Sequence, residues 1–127
     1  MAVNPTGADL KRFLDEDSGT PVVMLNLLRF ADGGRESYDE YMRRFLEVFP
    51  ERYGVETVYA GTGSTVLAAE PGQEWDAVLL IRYPSREAFC RMVADPDYQA
   101  IGHLRTLALT EAVLQATTPM AGSTAST

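Results

Sequence analysis

The spacing of hydrophobic residues alternates between strand-like and helix-like periods along the chain. Residues 22–28 are apolar on both faces apart from Asn26, which predicts a central strand. From Tyr38 to Phe49 the apolar residues recur every three or four positions, which predicts an amphipathic helix ending near Gly54. The first half of the chain is therefore expected to form a strand followed by a helix.

The second half repeats this alternation. The β-rich stretch 55–69 contains a Gly-Thr-Gly-Ser segment, which predicts a long strand with a bulge or kink. Pro96 predicts a break between two helices. The remaining predicted elements are a strand over 75–83, helices over 86–93 and about 97–109, and a strand over 111–117.

The elements follow the order β-α-β-β-α-β after a leading helix at about residues 6–16, for which Thr6 is the predicted N-cap. A weak repeat supports this order, since Leu-Leu-Arg-Phe at 27–30 and Leu-Ile-Arg-Tyr at 80–83 each precede an Arg-Glu pair that opens a helix. Two such halves make a ferredoxin-like α+β fold with the first and third strands in the centre. We expect one domain over residues 1–118 and a flexible tail over 119–127.

The central strands are apolar on both faces, which raises a problem for an isolated subunit. Helices cover only one face of such a sheet, and the other would expose more than the few hundred Å² of apolar surface that monomers tolerate. A second copy related by a two-fold axis is the simplest cover. The pattern therefore predicts a homodimer whose sheets pack face to face.

Charge and the scarcity of cysteine and histidine exclude several function classes. The 127 residues include 11 basic and 18 acidic side chains, a net charge of −7, which argues against nucleic-acid binding. One Cys and one His exclude a disulfide framework and a multi-ligand metal site within one chain, and we expect no cofactor. There is neither an apolar run of about 18 residues nor a signal-peptide pattern, so we expect a cytoplasmic protein without a membrane partner.

Four segments within residues 20–118 carry a more specific pattern. They are Pro-Val-Val-Met-Leu-Asn-Leu-Leu-Arg-Phe at 21–30, Ser-Tyr-x-x-Tyr at 37–41, Trp-Asp-Ala-Val-Leu-Leu-Ile-Arg-Tyr-Pro-Ser at 75–85, and Asp-Pro-Asp-Tyr-Gln-Ala-Ile at 95–101 with Leu-Arg at 104–105. Together they resemble a bacterial family of unknown function, the domain of unknown function number thirteen-thirty, in the dimeric α/β-barrel superfamily. The superfamily includes antibiotic-biosynthesis monooxygenases, muconolactone isomerase and EthD-like proteins. The resemblance implies binding of aromatic or unsaturated substrates between the sheet and its helices.

Three residues are candidates for catalysis. Asn26 is polar in an apolar strand, where its amide either orients a ligand carbonyl or enolate or is hydrogen-bonded within the protein. Tyr59 offers a phenol on a strand that could stabilise such an enolate. His103 has the only side chain whose ordinary pKa lies near neutrality, which makes it the default proton-transfer group, although a helical wheel turns it away from the apolar face.

Aromatic and cationic side chains are candidates for substrate binding. Tyr38, Tyr41 and Tyr83 either line an aromatic-binding pocket or belong to the core, and Trp75 either caps that pocket or anchors the edge of the core. Two cations complete the set. Arg29 lies on the opposite face of its strand from Asn26 and either clamps an anion at the pocket mouth or forms a salt bridge; Arg105, at the edge of an apolar helix face, either holds a ligand anion or extends to solvent.

Two functions fit these features. The first is a cofactor-independent enzyme, an isomerase, cyclase or oxygenase-like protein acting on an unsaturated or aromatic carbonyl compound; it requires a pocket of a few hundred Å³ with open polar groups. The second is a non-catalytic homodimer that binds a metabolite or serves a stress-accessory role. That alternative predicts that Asn26 and Arg105 are satisfied by protein groups.

Overall fold

The computed structural model describes residues 2–124 and contains four helices and four strands in that range. Its sheet is antiparallel, with the strand order β2-β3-β1-β4. The predicted α+β ferredoxin-like fold is confirmed, and so is the central position of the first and third strands. The elements are α1 (Gly7–Asp15), β1 (Val22–Phe30), α2 (Gly34–Tyr53), β2 (Glu56–Thr62), β3 (Ala77–Tyr83), α3 (Arg86–Ala94), α4 (Pro96–Ala108) and β4 (Leu109–Thr117).

The second strand is shorter than predicted. β2 ends at Thr62, and its irregularity lies between Thr57 and Tyr59 rather than in the Gly-Thr-Gly-Ser segment. At Gly63 the backbone N–H donates to the carbonyl of Asp76, 2.8 Å away, and the carbonyl of Trp75 occupies the space that a Cβ would need. Residues 63–76 therefore leave the sheet as a loop, and the prediction of strand over 63–69 is wrong.

Local sequence signals fix the helix boundaries. Thr6 caps α1 in a reciprocal capping box with Asp9, as the sequence predicts. Gly54 ends α2 in the left-handed conformation, with φ 70°, which glycine adopts without strain. At the start of α2, a Cβ on Gly34 would collide with the carbonyl of Ala108, so only glycine lets the two helix ends approach.

One face of the sheet packs against the helices. Alternate residues of β1, including Val22, Met24 and Leu28, form the main core with aromatic residues of α2. None of the helices in the range 2–124 is long and apolar enough to cross a bilayer. The boundaries of the predicted domain remain a prediction, and residue 1 and the last three residues of the predicted tail lie outside the described range.

The other face, which we call the open face, consists of half-buried apolar residues in neighbouring strands. Leu27 lies beside Val78 on one side and Val113 on the other, and Leu25 lies beside Leu80. Because side chains alternate along a strand, these residues point away from the helices. No helix from the described part of the chain covers them, so the two-faced pattern of β1 and β3 leaves an apolar surface.

Candidate functional site

A cavity of about 450 Å³ lies between the sheet and helices α2, α3 and α4. Residues 4 and 5, ahead of α1, close part of it, and Leu10 of α1 also lines it. This volume suits a drug-sized or smaller ligand. We call it the helix-side cavity; its polar and aromatic wall includes Asn26, Tyr41, Tyr83, Tyr98, His103 and Arg105.

Arg105 is the most unusual side chain in this wall. It is 6 % exposed, and its Nη1 donates to the carbonyl of Val3 and to Oδ1 of Asn4, each 2.8 Å away. Its Nη2 is buried without a hydrogen-bond partner, and no carboxylate of residues 2–124 forms an ion pair with it. A buried cation normally requires a carboxylate partner, because leaving water costs several kcal/mol. The guanidinium is therefore held in place by neutral groups.

Buried tyrosines surround this cation. Burial raises the pKa of Tyr41 and Tyr83 well above the ordinary value, while the nearby charge of Arg105 opposes the rise. Both phenols therefore stay protonated near neutral pH. The Tyr41 hydroxyl lies 2.9 Å from that of Tyr98, whereas the Tyr83 hydroxyl bonds to no residue in the described range. The Tyr83 O–H is consequently available as a hydrogen-bond donor.

Asn26 faces the same cavity from β1. It is 8 % exposed, and its Nδ2 donates to the carbonyl of Met24 at 3.3 Å, near the limit for a hydrogen bond. Its Oδ1 accepts no hydrogen bond within residues 2–124. Only the Nδ2 end of the amide therefore has a hydrogen-bond partner, and a donor group of a ligand could bind to Oδ1.

His103 lies at the rim of the cavity. The side chain is exposed, as the helical wheel predicts, yet α4 runs along the opening so that His103 still contributes to the cavity wall. An imidazole at the entrance is in reach of both the cavity and solvent. Its predicted role in proton transfer stays a prediction.

The remaining candidates, Tyr59, Arg29 and Trp75, lie outside the helix-side cavity. Tyr59 pairs with Leu80 and lies on the open face with its ring over Gly61. Arg29 also points to the open face, where its guanidinium lies 4.6 Å from the Trp75 ring centroid. Strand alternation separates Tyr59 and Arg29 from the helix-side cavity of the same subunit, and Trp75 lies against Arg29 in the loop that precedes β3. Their predicted roles are untested, but they cannot act beside Asn26 in one subunit.

The donors of Arg29 are occupied by protein groups. Nη1 and Nη2 donate to the carbonyls of Glu74 and Gly72 at 2.6 and 2.7 Å, and Nη2 lies 3.3 Å from the Glu111 carboxylate. The structure therefore has the salt bridge that the sequence left open as an alternative. Arg29 fastens the 63–76 loop to the sheet.

Tyr38 packs behind the cavity rather than lining it. Its ring contacts those of Phe30 and Tyr41, with centroid separations of 5.7 and 5.5 Å. Burial raises its pKa to about 12, against the opposing charge of Arg105. Tyr38 thus supports the wall formed by Tyr41 instead of offering its own hydroxyl to the cavity.

Alkaline pH is expected to destabilise the protein through Tyr38. Its pKa is about 12 when folded and ordinarily 10, so above pH 10 the unfolded chain binds fewer protons than the folded one. The free energy of unfolding should hold below pH 10, and Tyr38 should lower it by roughly 2–3 kcal/mol between pH 10 and 12, in addition to the falls caused by Tyr41 and Tyr83, whose pKa values burial also raises. Urea titrations at stepped pH measure this fall. Tyr38→Phe should show a shallower decline; equal slopes for the two proteins would refute the assignment.

Sequence reasoning missed two contributors to the cavity. Tyr98 is not among the candidates that the sequence suggests, but its hydroxyl lies 2.9 Å from that of Tyr41 at the wall. Asn4 precedes every periodic segment and contacts Arg105 across 101 positions of sequence. No local pattern signals such a long-range contact. Its only visible signal is a polar residue just ahead of the Thr6 cap.

The described residues provide no group of three or more His, Cys, Asp or Glu side chains that could hold a metal ion. The helix-side cavity offers one guanidinium, neutral phenols, an amide and a rim imidazole. Such groups bind anions and carbonyl oxygens, and they can stabilise negative charge that develops on an enolate-like oxygen.

Comparisons with known proteins support the fold and define the family. A protein of unknown function from Rhodopseudomonas palustris, RPA0582, is 29% identical over 93% of this chain and 96% of its own, with a TM-score of 0.84. A putative antibiotic biosynthesis monooxygenase from Bacteroides thetaiotaomicron is 21% identical over 80% and 90% of the two chains, with a TM-score of 0.58. A nipsnap family protein of unknown function from Agrobacterium tumefaciens is 17% identical over 84% and 95%, with a TM-score of 0.60.

The last two similarities are low in sequence and concern the fold alone. No curated protein matches the chain. The sequence model of one family, the domain of unknown function DUF1330, matches residues 28–117, which is most of the chain and includes every strand except the first part of β1. The protein therefore belongs to the DUF1330 family.

Proposed function

We propose that this protein binds a small organic anion with an aromatic or unsaturated body in the helix-side cavity. The observation that carries the proposal is the buried guanidinium of Arg105, which has an unpartnered Nη2 and no carboxylate partner in the described chain. An unsatisfied buried donor costs about 1–3 kcal/mol. A ligand carboxylate beside Arg105 would recover that energy and neutralise the charge.

The rest of the wall supports an aromatic or unsaturated body. Tyr41 and Tyr98 present ring surfaces, and Phe89 lines the same space. Aromatic walls favour planar conjugated ligands through stacking and edge contacts. The free Tyr83 hydroxyl and the half-satisfied Asn26 amide could then orient a carbonyl oxygen or a hydroxyl of the ligand.

The same groups support a cofactor-independent reaction of the isomerase, cyclase or oxygenase-like kind. Protonated phenols and the Asn26 amide would stabilise an enolate-like intermediate, and His103 at the rim would carry a proton to solvent. The fold shared with a putative antibiotic biosynthesis monooxygenase is consistent with this proposal. The alternative is a non-catalytic metabolite-binding or stress-accessory protein. Its expectation that protein groups satisfy Asn26 and Arg105 is met only in part, since Oδ1 of Asn26 and Nη2 of Arg105 have no partner within residues 2–124.

Matched ligand pairs test the proposed anion binding. Cinnamate and its neutral amide have the same conjugated body and differ mainly in charge. We expect cinnamate to bind at least tenfold more tightly than cinnamamide, a difference of about 1.4 kcal/mol in binding free energy. Isothermal titration calorimetry measures both affinities. Affinity should weaken with added salt if charge contributes. Equal affinities, or binding of neither compound nor of other aromatic carboxylates, would rule out an anion site at Arg105.

Turnover separates the enzyme from the binding protein. Carboxylates that bind are incubated with the purified protein in air and without added cofactor, and mass spectrometry follows the compound. A change in mass or an isomer separated by chromatography favours the enzyme. Tight binding without product, repeated over a panel of conjugated carboxylates, favours the accessory role.

We also propose that the working form is a cytoplasmic homodimer joined through the open face. Leu25, Leu27 and Leu80 belong to a continuous apolar surface that no described helix covers. Burial of apolar surface is the main driving force for association, at about 25 cal/mol per Å². A second copy offers an identical apolar surface, and packing across a two-fold axis would leave both helix-side cavities on the outside of the pair.

A further inference from the structure

The segment ahead of α1 forms one wall of the helix-side cavity. We call residues 2–5 the N-terminal strap. Its Ala2 carbonyl accepts a hydrogen bond of 2.8 Å from the Ala112 N–H of β4, an edge strand of the sheet. Asn4 and Pro5 then line the cavity. The strap therefore runs from the edge of the sheet to the site of the buried cation.

The Asn4 amide bridges two residues of α4. Its Oδ1 accepts from Nη1 of Arg105 at 2.8 Å, and its Nδ2 donates to Oγ1 of Thr106 at 3.0 Å. Oγ1 of Thr106 in turn donates to the carbonyl of Gly102 at 3.3 Å. Because the threonine proton is used in that bond, Thr106 presents an acceptor to Asn4. The chain of bonds fixes the amide so that its oxygen faces the guanidinium.

The strap holds Arg105 without cancelling its charge. Both acceptors of Nη1, the Val3 carbonyl and the Asn4 amide oxygen, are neutral dipoles. The chain has 18 acidic residues, yet the acid of this region, Asp9, has both oxygens engaged by Thr6 and Arg12. A carboxylate in the position of the Asn4 amide would form an internal ion pair with Arg105 instead.

We infer that Asn4 is a positioning residue that makes the helix-side cavity selective for anions, because it fixes the Arg105 guanidinium with a neutral acceptor. This inference rests on the proposed anion binding and deepens it. It attributes the selectivity for anions to residue 4 alone, where the side chain is a neutral amide and not a carboxylate. Arg105 supplies the charge, and Asn4 keeps that charge available for a ligand.

The substitution Asn4→Asp tests the inference, because it retains size and shape, adds a negative charge beside Arg105 and otherwise removes only the Nδ2 donor to Thr106. We expect cinnamate affinity to fall by roughly tenfold or more, since the cavity charge is then neutralised, while cinnamamide affinity changes little. The matched control is Gln73→Glu, which adds the same charge at an exposed position of the 63–76 loop and keeps an oxygen that accepts from the Glu70 N–H. That control should keep cinnamate affinity within about twofold of the unaltered protein, as screened surface charges do.

A ligand-free measurement accompanies the binding data. Asn4→Asp should raise the melting temperature, because it gives the buried cation a charged partner, whereas Asn4→Ala should lower it by removing an acceptor. Asn4→Ala should also weaken cinnamate binding less than Asn4→Asp does, since the charge of Arg105 survives. This ordering is expected only if charge, and not the shape of the strap, governs selectivity.

The outcomes separate the two proposals. If the unaltered protein binds no aromatic carboxylate, the proposed function fails and the inference fails with it. If cinnamate binds the unaltered protein but binds Asn4→Asp equally well, the proposed function stands and the role of Asn4 is overturned. Equal losses of affinity and of melting temperature in Asn4→Asp and Asn4→Ala would likewise overturn it, because a purely structural strap would behave in that way.

Discussion

Replacing Arg105 with methionine is expected to reduce carboxylate affinity by roughly a hundredfold or more, since loss of one member of a buried charge pair costs about 2–5 kcal/mol. Methionine keeps an apolar stem of similar length and removes the guanidinium. The same change should lower the free energy of unfolding by no more than about 1–3 kcal/mol, because the two acceptors of Nη1 lose their donor while the buried charge and the unpartnered Nη2 are removed. The loss of affinity is therefore expected to exceed or match the loss of stability. Calorimetric titration and urea unfolding measure the two quantities.

A second arginine-to-methionine change provides the control. Arg91 is 71 % exposed on α3 and pairs with Glu87 one turn away. Arg91→Met should leave carboxylate affinity within about twofold and stability within about 0.5 kcal/mol, the usual range for surface substitutions. If Arg105→Met binds carboxylates as tightly as the unaltered protein, the anion lies elsewhere. A large loss of stability would instead show that Arg105 serves mainly to hold the strap.

Replacing Leu27 with aspartate is expected to convert the proposed homodimer into a monomer. Leu27 lies at the centre of the open face, between Val78 and Val113, so two copies of the new charge would meet across the two-fold axis. Desolvating an unpaired carboxylate costs several kcal/mol, enough to dissociate a dimer held by apolar contact. Light scattering at micromolar concentration measures the mass, and circular dichroism checks that the variant is folded.

Leu46 supplies the control for this experiment. It is 51 % exposed on α2, on the helical side of the molecule. Leu46→Asp adds the same charge and should remain dimeric. A monomeric mass for the unaltered protein would contradict the proposed dimer at once, and a dimeric Leu27→Asp variant would show that the subunits associate through another surface.

The fold could be predicted well because its signals are local. The apolar run of β1, the periodic helix α2 and the Gly54 terminator each specify one element from neighbouring residues, and the structure has all three. The predicted length of β2 is too great because residues 63–69 have the composition of a strand although they lie in the loop. The turn at Gly63 depends on a bond to Asp76, which no local pattern indicates.

The site was only partly predictable, for a related reason. The alternation of side chains along β1 correctly predicts that Asn26 and Arg29 lie on opposite faces. Residue type alone makes both of them site candidates together with the tyrosines. Which phenols share a cavity depends on strand pairing, so Tyr59 had to be placed by its register with Leu80 before its face was known. The contact between Asn4 and Arg105 depends on the strap returning to α4.

The irregular pairing at Thr57 and Tyr59 also bears on how the protein behaves at high concentration. β2 is an edge strand, and a regular edge offers its free backbone groups to any other chain in an extended conformation. A bulge interrupts that row and twists it, so an incoming strand cannot pair in register. At the opposite edge, Ala2 already occupies the N–H of Ala112. Neither edge offers an uninterrupted template, and fibril growth by strand addition is disfavoured even though the sheet carries a large apolar face.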